Sequence, residues 1–246
     1  MGPAERPSRS QRPAAHRAPK EAETAKQPAQ ILLETDSLSR YYGQVAALED
    51  LNLTIRAGEC VALMGPNGSG KTTAAELISG LQEPTRGWVR VAGYSLDHED
   101  EALAARKHLS YVPDNPYLYP DLTVRNHLQL MAAAHGVDGD DLESRCDKLL
   151  GSLGLQKRAD FFPSQLSRGM RQKTAIACGI IRPFSVLVLD EPTIGLDLAS
   201  MDTLRDLLVK SVAAAKAILL MTHSEEFAAG VATRVLHISE GHIVEE

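Results

Sequence analysis

From residue 31 onward the chain alternates short apolar runs of β character with longer stretches of helical period. The first β segments are residues 31–35, a polar turn carrying Tyr41 and Tyr42, and residues 51–55, where Leu51, Leu53 and Ile55 alternate with polar neighbours. The apolar run Cys60–Met64 leads into a Gly-rich stretch at 65–73 and a helix-permissive stretch at 74–79, and a further β segment follows at 87–93. Residues 99–182 read mostly helical, with candidates at 99–107, 124–134, 138–153 and 170–181. Residues 109–123 interrupt them with three prolines and three tyrosines, the composition of a structured loop. Two more apolar runs end in polar residues: Val186–Leu189 in Asp190 and Glu191, and Ala217–Met221 in Thr222 and His223. A strand that is apolar on both faces belongs at the centre of a covered parallel sheet, whose C-terminal edge opens onto the ligand crevice. The expected fold is therefore α/β, with a parallel sheet and a β part near the N-terminus.

The Gly-rich stretch carries the first chemistry. Gly65, Gly70, Lys71 and Thr72 fit G-x-x-x-x-G-K-[ST], and the whole run is Gly65, Pro66, Asn67, Gly68, Ser69, Gly70, Lys71, Thr72, Thr73. Glycines let successive backbone N–H groups turn inward around a phosphate, and the following helix adds its positive end. Lys71 is expected on the β- and γ-phosphates and Thr72 on Mg²⁺. Strand order would bring Asp190 and Glu191 beside this loop, one carboxylate for the metal and one for the attacking water, with His223 at the same edge. Ser167, just ahead of the 170–181 helix, has the form of an N-cap, and a capped helix N-terminus is a second anion-directed end.

Composition narrows the setting. The net charge is −6, but residues 1–30 hold six Lys/Arg and three Glu, so the rest carries 20 basic against 29 acidic residues. A body of net charge −9 argues against nucleic acid as a partner. No apolar run approaches the roughly 18 residues a membrane span needs. Cys60, Cys146 and Cys178 lack metal or redox spacing, which suits buried free thiols in a reducing cytosol. Residues 1–30, with five Pro and seven Ala, are expected to form a disordered tail. The absence of an apolar h-region, and Glu5, Glu21 and Glu23, argue against a targeting peptide.

Taken in order, Tyr42-Gly43, the 65–73 loop, Leu166-Ser-Arg-Gly-Met170 with Gln172, Leu187-Val-Leu-Asp-Glu-Pro192, Gly195-Leu-Asp197 and Thr222-His223 resemble the ATP-binding subunit of ABC transporters over residues 31–246. Leu-Ser-x-Gly ahead of Leu-Asp-Glu-Pro-Thr distinguishes that family among phosphate-loop proteins. The resemblance implies an adenine-stacking Tyr42, Asp190 on the Mg²⁺ side, Glu191 as catalytic base and His223 as the switch histidine. It also implies that Ser167 and Gly169 close on the γ-phosphate of another protomer, that Asp197 crosses the dimer interface, that the β part near the N-terminus is antiparallel, and that a helical part at about 114–170 bears the signature. Asp114 stands where most members carry Gln as a nucleotide and metal contact, Arg168 and Met170 where Gly and Gln are commonest, and Leu198 where Pro is frequent. Pro-Asp-x-Pro and Leu-Ser-x-Gly-Met-x-Gln-Lys look like the branch that pairs a separate ATPase chain with an export permease for drugs, peptides or lipids.

The expectation is an ATPase using ATP and Mg²⁺, dimeric with itself or a paralogue, peripheral on the cytoplasmic face of the membrane through a permease. Coupling would run through the loop 114–120, with Asp114 withdrawn until the permease pushes the loop inward. Two rivals stand: a non-transport ABC ATPase, of which the single-cassette iron–sulfur assembly type suits the length, and a regulatory ATP-binding module without turnover.

Overall fold

A computed structural model describes residues 1–2, 29–139 and 141–244. The expected tail lies almost wholly outside the described residues.

Two sheets form the core. Strands β1 (Ile31–Tyr42), β2 (Val45–Arg56), β4 (Arg86–Val91) and β5 (Tyr94–Ser95) make an antiparallel sheet in the order β2-β1-β4-β5. The second sheet runs β10 (His242–Val244), β9 (Arg234–Ser239), β3 (Cys60–Met64), β8 (Ala217–Thr222), β7 (Val186–Asp190), β6 (Leu109–Val112). Only the β9–β10 pairing in it is antiparallel. Helices are α1 (Lys71–Ile78), α2 (Glu99–His108), α3 (Val124–Ala134), α4 (Asp141–Ser152), α5 (Arg168–Ile181), α6 (Leu198–Ala213) and α7 (Glu225–Ala229).

The period of two along the central strands divides the apolar interior. Leu187, Leu189, Ile218 and Leu220 pack with Leu128, Leu150 and Ile176 of α3, α4 and α5. Their alternates Val186, Val188, Leu219 and Met221 pack with Ala74 and Leu77 of α1 and with Leu33, Leu48 and Leu53 of the antiparallel sheet. Strand β7 is buried at every position, as its unbroken apolar run requires. Register pairs Met64 with Thr222 and Asp190 with Met221, so the ends of β3, β8 and β7 open at one edge.

Several expectations need correcting. Tyr41 and Tyr42 are strand residues rather than a turn: they pair with Ala46 and Val45 across a two-residue turn at Gly43-Gln44. Residues 109–112, expected within a loop, form β6, parallel to β7. Helix α6 and the β9–β10 hairpin were not anticipated. The loop between β6 and α3 is nevertheless structured. His127 Nδ1 donates to Thr123 O at 2.7 Å while Nε2 accepts from Tyr119 N–H at 2.9 Å. That pairing fixes the neutral tautomer, and burial holds the imidazole below its ordinary pKa.

Candidate nucleotide site

The run between β3 and α1 is a loop whose glycines are set by contact and dihedral. Gly70, at φ +107°, is the N-cap of α1, and a methyl there would come within 2.7 Å of Ala47 O. The loop is braced by the β9–β10 turn, where Gly241 N–H donates to Ser69 O at 2.9 Å and Glu49 N–H donates to Gly241 O at 2.9 Å. This turn, Glu240 at φ +50° followed by Gly241 at φ +82°, lines the cleft beside the loop. Sequence reading missed it, although Ser-Glu-Gly-His between two short β segments is a hairpin signal.

Lys71 begins α1 and is buried, its Nζ donating to Gly65 O at 2.7 Å and Pro66 O at 3.0 Å. The ammonium also stands 3.6 Å from Glu191 Oε1. Glu191 follows the last residue of β7 at φ +44°, a left-handed conformation costly for a non-glycine, and its N–H donates to Met221 O at 2.9 Å. Its other oxygen, Oε2, accepts from Nδ1 of the half-exposed His223 at 2.9 Å. One carboxylate therefore joins the loop lysine to the histidine after β8.

Asp190 is fully buried, and neither of its carboxylate oxygens has a hydrogen-bond partner. Burial raises its pKa, the charges of Glu191 and Asp114 add to the rise, and Thr72 and Lys71 oppose it. An unpartnered buried carboxylate of this kind is costly unless a cation or its water completes it. With the Thr72 hydroxyl the donor set is one carboxylate and one alcohol, which suits Mg²⁺, an ion that keeps waters and takes phosphate oxygens for its remaining positions.

Asn67, Gly68, Gly70, Lys71, Thr72, Thr73, Asp114 and Glu191 line one cleft of about 720 Å³, together with Val45, Ala46 and Ala47 of β2 and with Arg168. Tyr42 lies outside that lining: its hydroxyl donates to Gln82 Oε1 at 2.6 Å, and Arg40 sits over its ring at 4.9 Å. Ser167, Gly169 and Asp197 also lie outside it and are tied to each other's elements. Ser167 Oγ caps α5 by accepting from Met170 N–H at 3.3 Å. Asp197 caps α6 by accepting from Ser200 N–H at 2.8 Å, and Lys173 of α5 stands 3.5 Å away. The hydrogen bonds from Ser200 hold the Asp197 carboxyl below its ordinary pKa.

Gly169 lies against the loop that precedes α6, and a methyl there would fall 2.0 Å from Gly195 O. In an exposed helix the change to Ala gains about 1 kcal/mol of propensity, whereas overpacking costs about 1–3 kcal/mol. A clash with backbone decides the sign. Gly169→Ala is expected to lower the urea midpoint and to depress ATP hydrolysis; a variant as stable as the parent would show that this packing does not hold the signature.

The ABC transporter family profile matches residues 48–194. The chain is 34% identical over 215 residues to the SkfA peptide export ATP-binding protein SkfE of Bacillus subtilis (strain 168), covering 87% of this chain and 88% of that protein. It is 34% identical over 216 residues to the Nod factor export ATP-binding protein I of Sinorhizobium fredii, covering 88% and 62%. Among solved structures, an ATP-binding subunit of an ABC transporter superposes with a TM-score of 0.81 at 35% identity, covering 86% and 88%. A dimeric ATP-binding cassette in a post-hydrolysis state with ADP and Pi does so at 0.77 and 26% identity, covering 87% and 97%. The chain belongs to the ABC transporter family, as one of its ATP-binding, ATP-hydrolysing subunits.

Proposed function

We propose that this ATPase drives a separate membrane permease in export, as a dimer with each nucleotide between two chains. The observation that carries the catalytic part is the Glu191 carboxylate, held between Lys71 and His223 and backed by Asp190 with its two unpartnered oxygens. Backbone N–H groups of the loop and Lys71 bind the triphosphate. Lys71 exchanges the carbonyls of Gly65 and Pro66 for phosphate oxygens, which also frees Glu191 Oε1. Glu191 then accepts the proton of the attacking water, while His223 keeps the carboxylate in place by donating to Oε2. Thr72 and Asp190 would hold Mg²⁺, which when bound neutralises developing phosphate charge. The export systems named for the relatives support the transport reading.

Permease docking is assigned to the groove between the 113–119 loop and α3, where Tyr117 is 84% and Tyr119 53% exposed. Among the described residues no helix is long and apolar enough to cross a membrane. In cells that produce it, the chain should sediment with the membrane fraction, and Tyr117→Glu should release it. A chain that stays in the soluble fraction while hydrolysing ATP in purified form would point instead to a non-transport ATPase.

A further inference from the structure

The loop after β6 and the N-terminus of α5 are joined by charge. Arg168 Nη2 donates to Asp114 Oδ1 at 3.4 Å across 54 positions of sequence, and both residues line the cleft. Among the described residues of that lining the cations are Lys71 and Arg168, facing the acids Asp114, Glu191 and Glu240. Lys71 is committed to Gly65 O, Pro66 O and Glu191. Asp114 has Arg168 as its one ion-pair partner among the described residues. A carboxylate at the cleft wall opposes an incoming triphosphate unless a cation offsets it.

We propose that Arg168 is a positioning residue for nucleotide binding, acting through Asp114: its guanidinium neutralises that carboxylate and holds it back from the phosphates. This rests on the cleft being the nucleotide site. The pair is partly exposed, with side chains 62% and 40% accessible, so its influence is moderate and screened by salt. It also differs from a direct phosphate contact in a way that can be measured. A cation that touches the nucleotide matters whatever residue occupies position 114, whereas a counter-ion matters only while Asp114 is charged.

The test is equilibrium titration of the full chain with a fluorescent ATP analogue in EDTA, where neither metal nor hydrolysis contributes. Arg168→Ala should weaken binding about three- to fivefold at low salt, the scale of an exposed charge pair. The gap should shrink in about 0.5 M salt, where the screening length is on the order of 4 Å. Asp114→Asn added to Arg168→Ala should restore affinity to within about twofold of the parent, as should Arg168→Lys, which keeps the charge. A double variant as weak as Arg168→Ala would overturn the proposal in favour of direct contact, and an Arg168→Ala protein that binds like the parent would remove Arg168 from nucleotide binding altogether. Lys71→Ala serves as the control for the site itself: undiminished binding there would sink the cleft assignment, while weakened binding there with no rescue by Asp114→Asn would sink only the role of Arg168. Both side chains are partly exposed, and thermal melts of each variant confirm the fold.

Discussion

Glu191→Gln is expected to retain ATP binding while slowing hydrolysis by about 10²-fold or more, the scale of losing a positioned general base. Glutamine keeps the shape of the side chain and an oxygen that can accept from His223, so the edge formed by β7 and β8 should stay in place. What it loses is the charge and the basic lone pair. Removing the charge also frees Lys71 from the ion pair at 3.6 Å, which favours its transfer to phosphate. Binding should therefore be as tight as in the parent or tighter, and with hydrolysis blocked the ATP-bound dimer should accumulate. Size-exclusion chromatography in Mg-ATP together with a phosphate-release assay checks both parts. A variant that turns over at the parent rate, or that remains monomeric with ATP bound, would take the base role away from Glu191.

The same residues show what a sequence reading can reach. The Lys71 loop and the acids at the end of β7 were legible because each is a short local pattern: a Gly-rich run between an apolar strand and a helix, and an apolar run buried on both faces that ends in charge. Strand β6 was not. Its four residues, Leu-Ser-Tyr-Val, are too few to show a period, and the prolines and tyrosines that follow gave the whole stretch the composition of a loop; parallel pairing to Val186–Leu189 is what makes it a strand. The turn expected at Tyr41 and Tyr42 failed for a related reason, since cross-strand pairing carries the ladder through two tyrosines to the glycine beyond. Pairings between distant positions were out of reach. Asp114 with Arg168, Gly169 against Gly195, and Gly241 on the phosphate loop each depend on how loops fold back, which no local pattern encodes.

The second large effect concerns sharing of the site between chains. Within one chain Ser167, Gly169 and Asp197 lie outside the cleft, held by the α5 and α6 caps and by Lys173. The N-terminus of α5 still offers a helix dipole to an anion, and the proposed occupant is a phosphate bound by a second chain. Lys71→Ala removes the phosphate lysine, and Ser167→Arg replaces the cap with a bulky side chain where that phosphate would sit. Each homodimer carries one lesion in both of its composite sites and is expected to be inactive. In the heterodimer the two lesions fall in the same composite site: the loop that has lost its lysine meets the signature that has lost its serine, while the other site combines an unaltered loop with an unaltered signature. Equal mixing makes about half the dimers heterodimers, each with one working site of two, so roughly a quarter of parental activity should return if the sites act independently. Loss of the N-cap costs about 1 kcal/mol, which a fold of this size tolerates and a thermal melt verifies. Steady-state hydrolysis across mixing ratios, with heterodimer formation confirmed by differential tags, reads the outcome. Activity that stays at background at every ratio would mean that Ser167 serves only as a cap, and that the signature of this chain does not complete its partner's site.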